Sequence, residues 1–256
     1  MKYFYVISNL SKDYVLDVQD EVQSCLEKRG AVCRYMTDYE RMKNGRHTPG
    51  EYVPEDTQCI ITIGGDGTLI QAARDLAGRN IPMLGINRGH LGFLNQVDRT
   101  EDIDAAMDAL VNERFRLEHR MMLRGTVFHE GKPVFQDIAL NEIIATSAEH
   151  LRVLRYDLAV NDEYLNEYAA DGVMVATPTG STAYNLSAGG PVMAPAGRMM
   201  AVTPVCSHTL NARSIVISEE DRVKIGLLGK GLVTFDGDTS QKYQDLRLQI
   251  MQMGII

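Results

Sequence analysis

No stretch of this 256-residue chain strings together the roughly 18 apolar residues that a membrane-crossing helix needs. No spanning helix and no membrane partner are therefore expected. Positive charge is short as well: 26 Lys and Arg stand against 34 Asp and Glu, a formal net charge of −8. Such a chain is poorly matched to nucleic acid, whose sequence-independent binding runs on clustered cations. A phosphate-bearing ligand must then be held by local features: backbone amides, a few arginines, or a metal. Cysteine is scarce. Cys25, Cys33, Cys59 and Cys206 include no C-x-x-C pair, so a zinc site is not expected and the thiols read as small buried hydrophobes. The opening residues, Met1 to Tyr5, lack the features of a signal peptide, and a cytoplasmic protein is expected. The histidines show no H-E-x-x-H spacing and no G-x-S-x-G elbow occurs, which weakens metalloprotease and hydrolase readings.

What is present is an ordinary globular balance, 45% apolar and 23% charged, in a chain long enough to bury a core. Residues 2–8 read as a strand. Residues 13–29 read as a helix with Val15, Leu16, Val18, Val22 and Leu26 as its apolar stripe, ended by Gly30. A strand at 31–36, a polar loop at 41–57, a strand at 58–63 and the run GGDGT at 64–68 follow. A helix from Leu69 to about Ala77, a strand at 81–86 and a helix at 100–114 complete a parallel crossover pattern. Past about 115 the texture changes to alternating runs at 115–128, 133–147, 151–160, 164–168, 172–177, 214–218, 222–228 and 231–235. The expected fold is α/β followed by β. An N-terminal α/β domain with a mostly parallel sheet would span 1–117, and a β-rich, sandwich-like domain 118–256. Ligands commonly bind between domains and beyond the carboxyl ends of parallel strands, where 64–68 stands.

Four segments carry candidate chemistry. Gly64-Gly65-Asp66-Gly67-Thr68 can bring backbone amides and a helix start to an anion. It is neither a Walker A loop nor a Rossmann fingerprint, since no Lys follows and Ile70 replaces the last glycine. Asp66 beside such a cradle would hold a metal or accept a proton; the plain alternative is a helix cap. The second segment, 177–191, gathers Thr177, Thr179, Ser181 and Thr182 before a short helix from Ala183 to Ala188, with Asp171 upstream. It suits phosphate or ribose, or is a Ser/Thr-rich capped turn. The third, Asn141-Glu142, interrupts an apolar strand pattern and could hold a ribose diol and a base edge, or simply close a turn. The fourth, 85–94, carries three glycines with Arg88 available to phosphate, or is a solvated loop.

Together GGDGT at 64–68, GINRGHLGFL at 85–94, NE at 141–142 and DGVMVATPTGSTAYNLSAGGP at 171–191 resemble the NAD kinase family in order and spacing. HTLNAR at 208–213 and FDGD at 235–238 are similar to its later segments. The resemblance implies a two-domain enzyme that phosphorylates the 2′-hydroxyl of the adenosine ribose of NAD. Its donor would be ATP or polyphosphate with a divalent metal, magnesium, held mostly by donor phosphates rather than by a protein metal site. It implies a homodimer or homotetramer. By position, Asp66 would be the general base and Gly67 its neighbour in the nucleotide site. Asn141 and Glu142 would grip a nucleoside. Arg152 and Asp171 would line the NAD site, and Thr182, Ala183, Tyr184, Asn185, Leu186 and Ser187 would form a contact run, with Ala169 and Asp238 as further contacts. Ser207 and Ser214 stand where the family usually has Pro, which alters a loop more than the chemistry. The family normally continues beyond the position of Ile256 with residues that pack back on the first domain. Two other readings compete: a lipid kinase, since related glycine-Asp turns occur there, and a nucleotide sensor without turnover. The polar 177–191 segment disfavours the first, and Asp66 the second.

Overall fold

The structure, a computed structural model, describes residues 1–10, 14–36, 47–87, 93–149, 152–208, 212–244 and 247–255, with the backbone alone for 238–244 and 252–255. Part of the expected polar loop (41–46), Arg88 and part of HTLNAR (209–211) lie outside the described residues. The chain divides into two units, 1–118 and 119–255.

In the first unit β1 (Tyr3–Ser8), β2 (Val32–Tyr35), β3 (Cys59–Ile63) and β4 (Met83–Ile86) pair in parallel in the order β2-β1-β3-β4. Side chains alternate across a strand, so a sheet covered on both faces needs apolar residues at successive positions. Phe4, Val6, Cys59, Ile61, Ile63 and Ile86 pack on one face, while Tyr5, Ile60 and Ile81 pack on the other. The first face is covered by α1 (Val15–Glu27) and α3 (Ile103–Val111). The buried stripe of α1 is Val15, Val18, Gln19, Val22, Cys25 and Leu26. Leu16, expected in that stripe, is exposed, because one residue past Val15 is a turn of about 100° away from the sheet. Between β3 and β4 lies α2 (Asp66–Asp75). It begins three residues earlier than the expected Leu69, so the Asp-Gly of the glycine run is the first turn of the helix itself. Its N-cap is Gly65, without a side-chain cap bond, which removes the reading of Asp66 as the cap.

The second unit is a sandwich of two six-stranded antiparallel sheets. One has the order β12-β11-β10-β7-β14-β15, built from β7 (Glu142–Ser147), β10 (Gly172–Ala176), β11 (Met199–Val205), β12 (Ile215–Ser218), β14 (Lys230–Phe235) and β15 (Asp238–Gln244). The other has the order β6-β5-β16-β13-β8-β9, built from β5 (Met121–His129), β6 (Lys132–Ala139), β8 (Leu154–Val160), β9 (Glu163–Ala170), β13 (Val223–Leu228) and β16 (Arg247–Ile255). Alternate residues from both sheets, among them Ile143, Val175, Met200 and Phe235 against Leu123, Tyr156, Ile225 and Ile250, make one core. The expected run at 133–147 is two strands, broken at Leu140 and Asn141. No strand is expected from the sequence at 199–205, where β11 lies and where Pro204 argues against a central position. The strand fits here because the β12 partner stops at Val202, so Pro204 faces one neighbour, Val173, rather than two. Cys206 departs from the expected burial of the thiols: it follows β11, exposed, at φ +48°. Burial pushes the Cys33 thiol up to about 11 and Cys59 to about 12. No helix among the described residues is long and apolar enough to cross a membrane.

Candidate functional site

In the first unit the strand order reverses across β1 and β3, so the chain leaves these two strands in opposite directions, and the carboxyl ends of such strands are where open α/β sheets bind ligands. The glycine turn sits at that end of β3. The Asn9 N–H donates to the Ile63 carbonyl at 2.9 Å and the Gly64 N–H to the Ile86 carbonyl at 2.9 Å. Asp66, half-buried on the first turn of α2, is clamped from both sides. The Phe93 N–H donates to its Oδ2 at 3.1 Å, and the Asn95 side-chain amide donates to its Oδ1. Each oxygen keeps a lone pair, so the carboxylate is fixed in direction while still able to accept a hydroxyl proton. Gly67 beside it is exposed.

In the second unit the break between β6 and β7 is the focus. Here Leu140, Asn141 and Glu142 turn three consecutive N–H groups towards one carboxylate, Asp236, at 2.7, 2.8 and 3.0 Å. The Thr177 N–H donates to the Asn141 carbonyl at 2.8 Å and the Thr177 hydroxyl to the Leu140 carbonyl at 2.6 Å. Gly180 packs so closely that a Cβ there would overlap the Asn141 backbone. Out of this backbone knot come two acceptors with no partner: Asn141 Oδ1 and Glu142 Oε2, both buried. Glu142 is 7% exposed. Burial first, then the negative charge of Asp236, push its carboxyl up to about 7. An unpartnered buried acceptor costs about 1–3 kcal/mol, and Asn141 and Glu142, neighbours in sequence, each carry one.

The 177–191 segment runs as a 3₁₀ turn at Gly180–Thr182 followed by α4 (Tyr184–Ser187). Its hydroxyls, read from sequence as possible ligand donors, are largely spent on the loop. Ser181 Oγ donates to the Pro178 carbonyl at 2.7 Å and accepts from the Met193 N–H at 3.0 Å, and Thr182 Oγ1 donates to the Thr179 carbonyl at 3.4 Å. Asn185 is turned fully inward. It donates to the Ser181 and Pro191 carbonyls at 3.3 and 3.0 Å and accepts from Thr203 Oγ1 at 2.7 Å. Tyr184, Leu186 and Ser187 face solvent, and the Ala183 N–H closes onto the Gly180 carbonyl at 2.9 Å. Asp171 is exposed, 3.7 Å from His208 Nε2, and the His208 N–H donates to the Ala169 carbonyl at 2.8 Å. Arg152 is exposed and paired with Glu149 at 3.1 Å. The backbone of Asp238 opens β15, directly after the Asp236-Gly237 turn.

Asn141, Glu142 and the 177–182 loop are thus brought together, while Asp66 and Gly67 form their own cluster in the other unit. Sequence reasoning missed Asp236, Asn95 and Thr203. The Asp-Gly pair after an apolar run is a hairpin signal that could have flagged Asp236 as a turn, though not as an acceptor. Nothing local to Asn95 or Thr203 announces a partner 29 or 18 residues away. Among the described residues no three His, Cys, Asp or Glu side chains gather as a metal cage.

A fixed carboxylate on the first turn of a helix, at the switch point of a parallel sheet, suits activation of a hydroxyl towards a phosphoryl group, and the class is that of a kinase. Residues 10–115 match the ATP-NAD kinase N-terminal domain and residues 140–252 the ATP-NAD kinase C-terminal domain. The chain belongs to the NAD kinase family. It is 41% identical to the NAD kinase of Lachnospira eligens over 88% of this chain and 77% of that protein. It is 38% identical to the NAD kinase of Lachnoclostridium phytofermentans over 95% and 88%. Two crystal structures share its fold. One is yeast NADH kinase complexed with NADH, TM-score 0.85 at 22% identity over 100% of this chain and 79% of that one. The other is an NAD kinase from Archaeoglobus fulgidus in complex with ATP, TM-score 0.78 at 21% identity over 100% and 93%.

Proposed function

We propose that the chain transfers the terminal phosphoryl group of ATP to the 2′-hydroxyl of the adenosine ribose of NAD, giving NADP and ADP. The observation that carries the substrate side is the pair of buried, unpartnered acceptors on Asn141 and Glu142. A nucleoside offers the hydroxyl and amino hydrogens that such acceptors require. The yeast relative's complex with NADH and the Archaeoglobus relative's complex with ATP support a nicotinamide dinucleotide and ATP as the substrate classes.

In this reading Asp66 is the general base. It accepts the 2′-hydroxyl proton as that oxygen bonds to phosphorus and the bond to ADP breaks. Phe93 and Asn95 hold its direction, so little reorganisation is needed at the moment of transfer. Gly67 keeps the approach to Asp66 free of side chain. Asp171, Arg152, Ala169 and Asp238 contribute to the NAD site, and Thr182, Ala183, Tyr184, Leu186 and Ser187 present the contact face of the loop. Asn185 acts from inside that loop by fixing its shape. A divalent ion such as magnesium would neutralise the donor phosphates. In this reading that ion is held chiefly by phosphate oxygens. Polyphosphate is a second donor of the same chemistry. The reading includes a cytoplasmic homodimer or homotetramer.

A coupled assay for NADP formed from NAD, ATP and magnesium, with Asp66→Asn alongside, tests the proposal. Formation by the native chain and its loss in the variant are expected. NAD bound without turnover would make the chain a sensor, and failure to bind NAD would return the lipid-kinase reading.

A further inference from the structure

Asp236 does more than its turn requires. It stands at φ +49° and Gly237 at φ +82°, the two central residues of the β14–β15 hairpin, whose flanking pair is Phe235 and Asp238. Both positions need left-handed backbone, which Asn or Gly serves as well as Asp. The turn therefore does not account for a carboxylate. The break between β6 and β7 does. It leaves Leu140 and Asn141 outside the strands and pairs Glu142 on the β10 side only, with Ala176, and buried N–H groups left without a ladder bond must find an acceptor. Only an anion with several lone pairs can accept three at once. The Asp236 N–H in turn donates to the Glu142 carbonyl at 3.1 Å, so the two chain segments are tied in both directions.

We propose that Asp236 is a positioning residue for substrate: by gathering the amide hydrogens of Leu140, Asn141 and Glu142, it fixes the strand break that presents the Asn141 and Glu142 side chains to NAD, and it lays a fixed negative charge behind Glu142. The inference rests on the reading that these two residues hold the nucleoside. Among the described residues the β10 side of Glu142 is neutral, with Ala176 as its strand partner and Thr177 next. Asp236 on the β14 side is the charge that acts on it. Substrate groups that need an acceptor would then bind best once Glu142 ionises, near neutral pH.

The test is NAD titration across the neutral range for the native enzyme, Asp236→Asn, Asp236→Gly, Glu142→Gln and Asp162→Asn. Asp162 is the matched control. It is also an Asp at positive φ in a hairpin turn, +70°, but its carboxylate faces Lys224. Asp236→Asn keeps the turn and one acceptor oxygen but loses the charge. Its KM for NAD should rise about tenfold with kcat within about twofold, the mark of lost ground-state binding. The pH at which KM changes should move down, because a like charge that opposed ionisation of Glu142 is gone. Asp236→Gly keeps the positive φ with no acceptor and should raise KM further. Asp162→Asn should change neither. A native KM and pH midpoint in both folded Asp236 variants would overturn the inference. If Glu142→Gln alone left NAD titration unchanged, the nucleoside reading would fail first.

Discussion

The two units treat a key carboxylate in opposite ways. Asp66 in the first unit is half-buried and satisfied, with one N–H donor on each oxygen. Glu142 in the second is buried, lacks a partner on Oε2, and is pushed up to about 7 by burial and by Asp236. A base must be ionised, aimed and accessible before substrate arrives, so its surroundings should be complete. A binding group gains most when the free protein leaves it unsatisfied, because the ligand then relieves a cost already present. On the proposed function, the first arrangement serves reaction and the second recognition.

The largest effect that this contrast predicts is on Asp66. Asp66→Asn keeps the size and removes the proton acceptor, and turnover should fall by about 10²–10⁴-fold, roughly 3–5 kcal/mol in barrier, with NAD affinity retained. Steady-state rates beside calorimetric NAD binding check it; unchanged turnover would remove Asp66 from this role. The next largest concerns the recognition side. Gly180→Ala drives a methyl group into the Asn141 backbone, which cannot swing aside as a side chain can. A loss of about 3 kcal/mol or more in unfolding free energy is expected in chemical denaturation. A variant of native stability would mean that the 177–182 loop is not pinned to Asn141.

The same contrast explains what the sequence discloses. The parallel sheet was legible because runs such as CIITI are apolar at successive positions, and the α1 stripe because of its period. The sandwich was legible from alternation, except where Pro204 masks β11 and where β15 and β16 carry polar residues. In the candidate site, glycine runs and the Asn-Glu interruption show locally, since each breaks a pattern. The internal wiring does not. Asp236 reaches Leu140 across 96 positions, and the Thr203 hydroxyl reaches Asn185 across 18. Hydroxyl-rich segments are the case most open to misreading: Thr177 and Ser181 look like ligand donors in sequence, yet in the fold they hold carbonyls of their own chain.

Glu142 yields a prediction of stability rather than rate. Its carboxyl is raised from 4.5 to about 7. Below about pH 4.5 both folded and unfolded chains carry the proton and pH has no effect through this group. Between 4.5 and 7 the unfolded chain releases its proton while the folded chain keeps it, so stability falls as pH rises; above 7 the penalty is constant. Glu142→Gln cannot titrate. Relative to the native chain it should gain roughly 3 kcal/mol at most across that window, while NAD binding weakens. Urea unfolding of both proteins at several pH values reads the difference directly, and a flat difference would mean that Glu142 is paired in solution.

The smallest effect separates structural from functional glycine. A Cβ at Gly180 meets backbone, whereas a Cβ at Gly67 meets nothing within 4 Å. Gly67 lies in the first turn of α2, where alanine is the better helix former. Gly67→Ala should therefore raise thermal stability slightly, by about 0.5 kcal/mol. The fold gives no reason for glycine there, so a reason must come from what approaches it. If a nucleotide passes close to the backbone beside Asp66, the same methyl group that stabilises the helix will raise the substrate KM or slow turnover. Stability up and activity down would place the ligand against Gly67. Stability up with native kinetics would free Gly67 from the nucleotide site and leave Asp66 as the turn's chemical contribution.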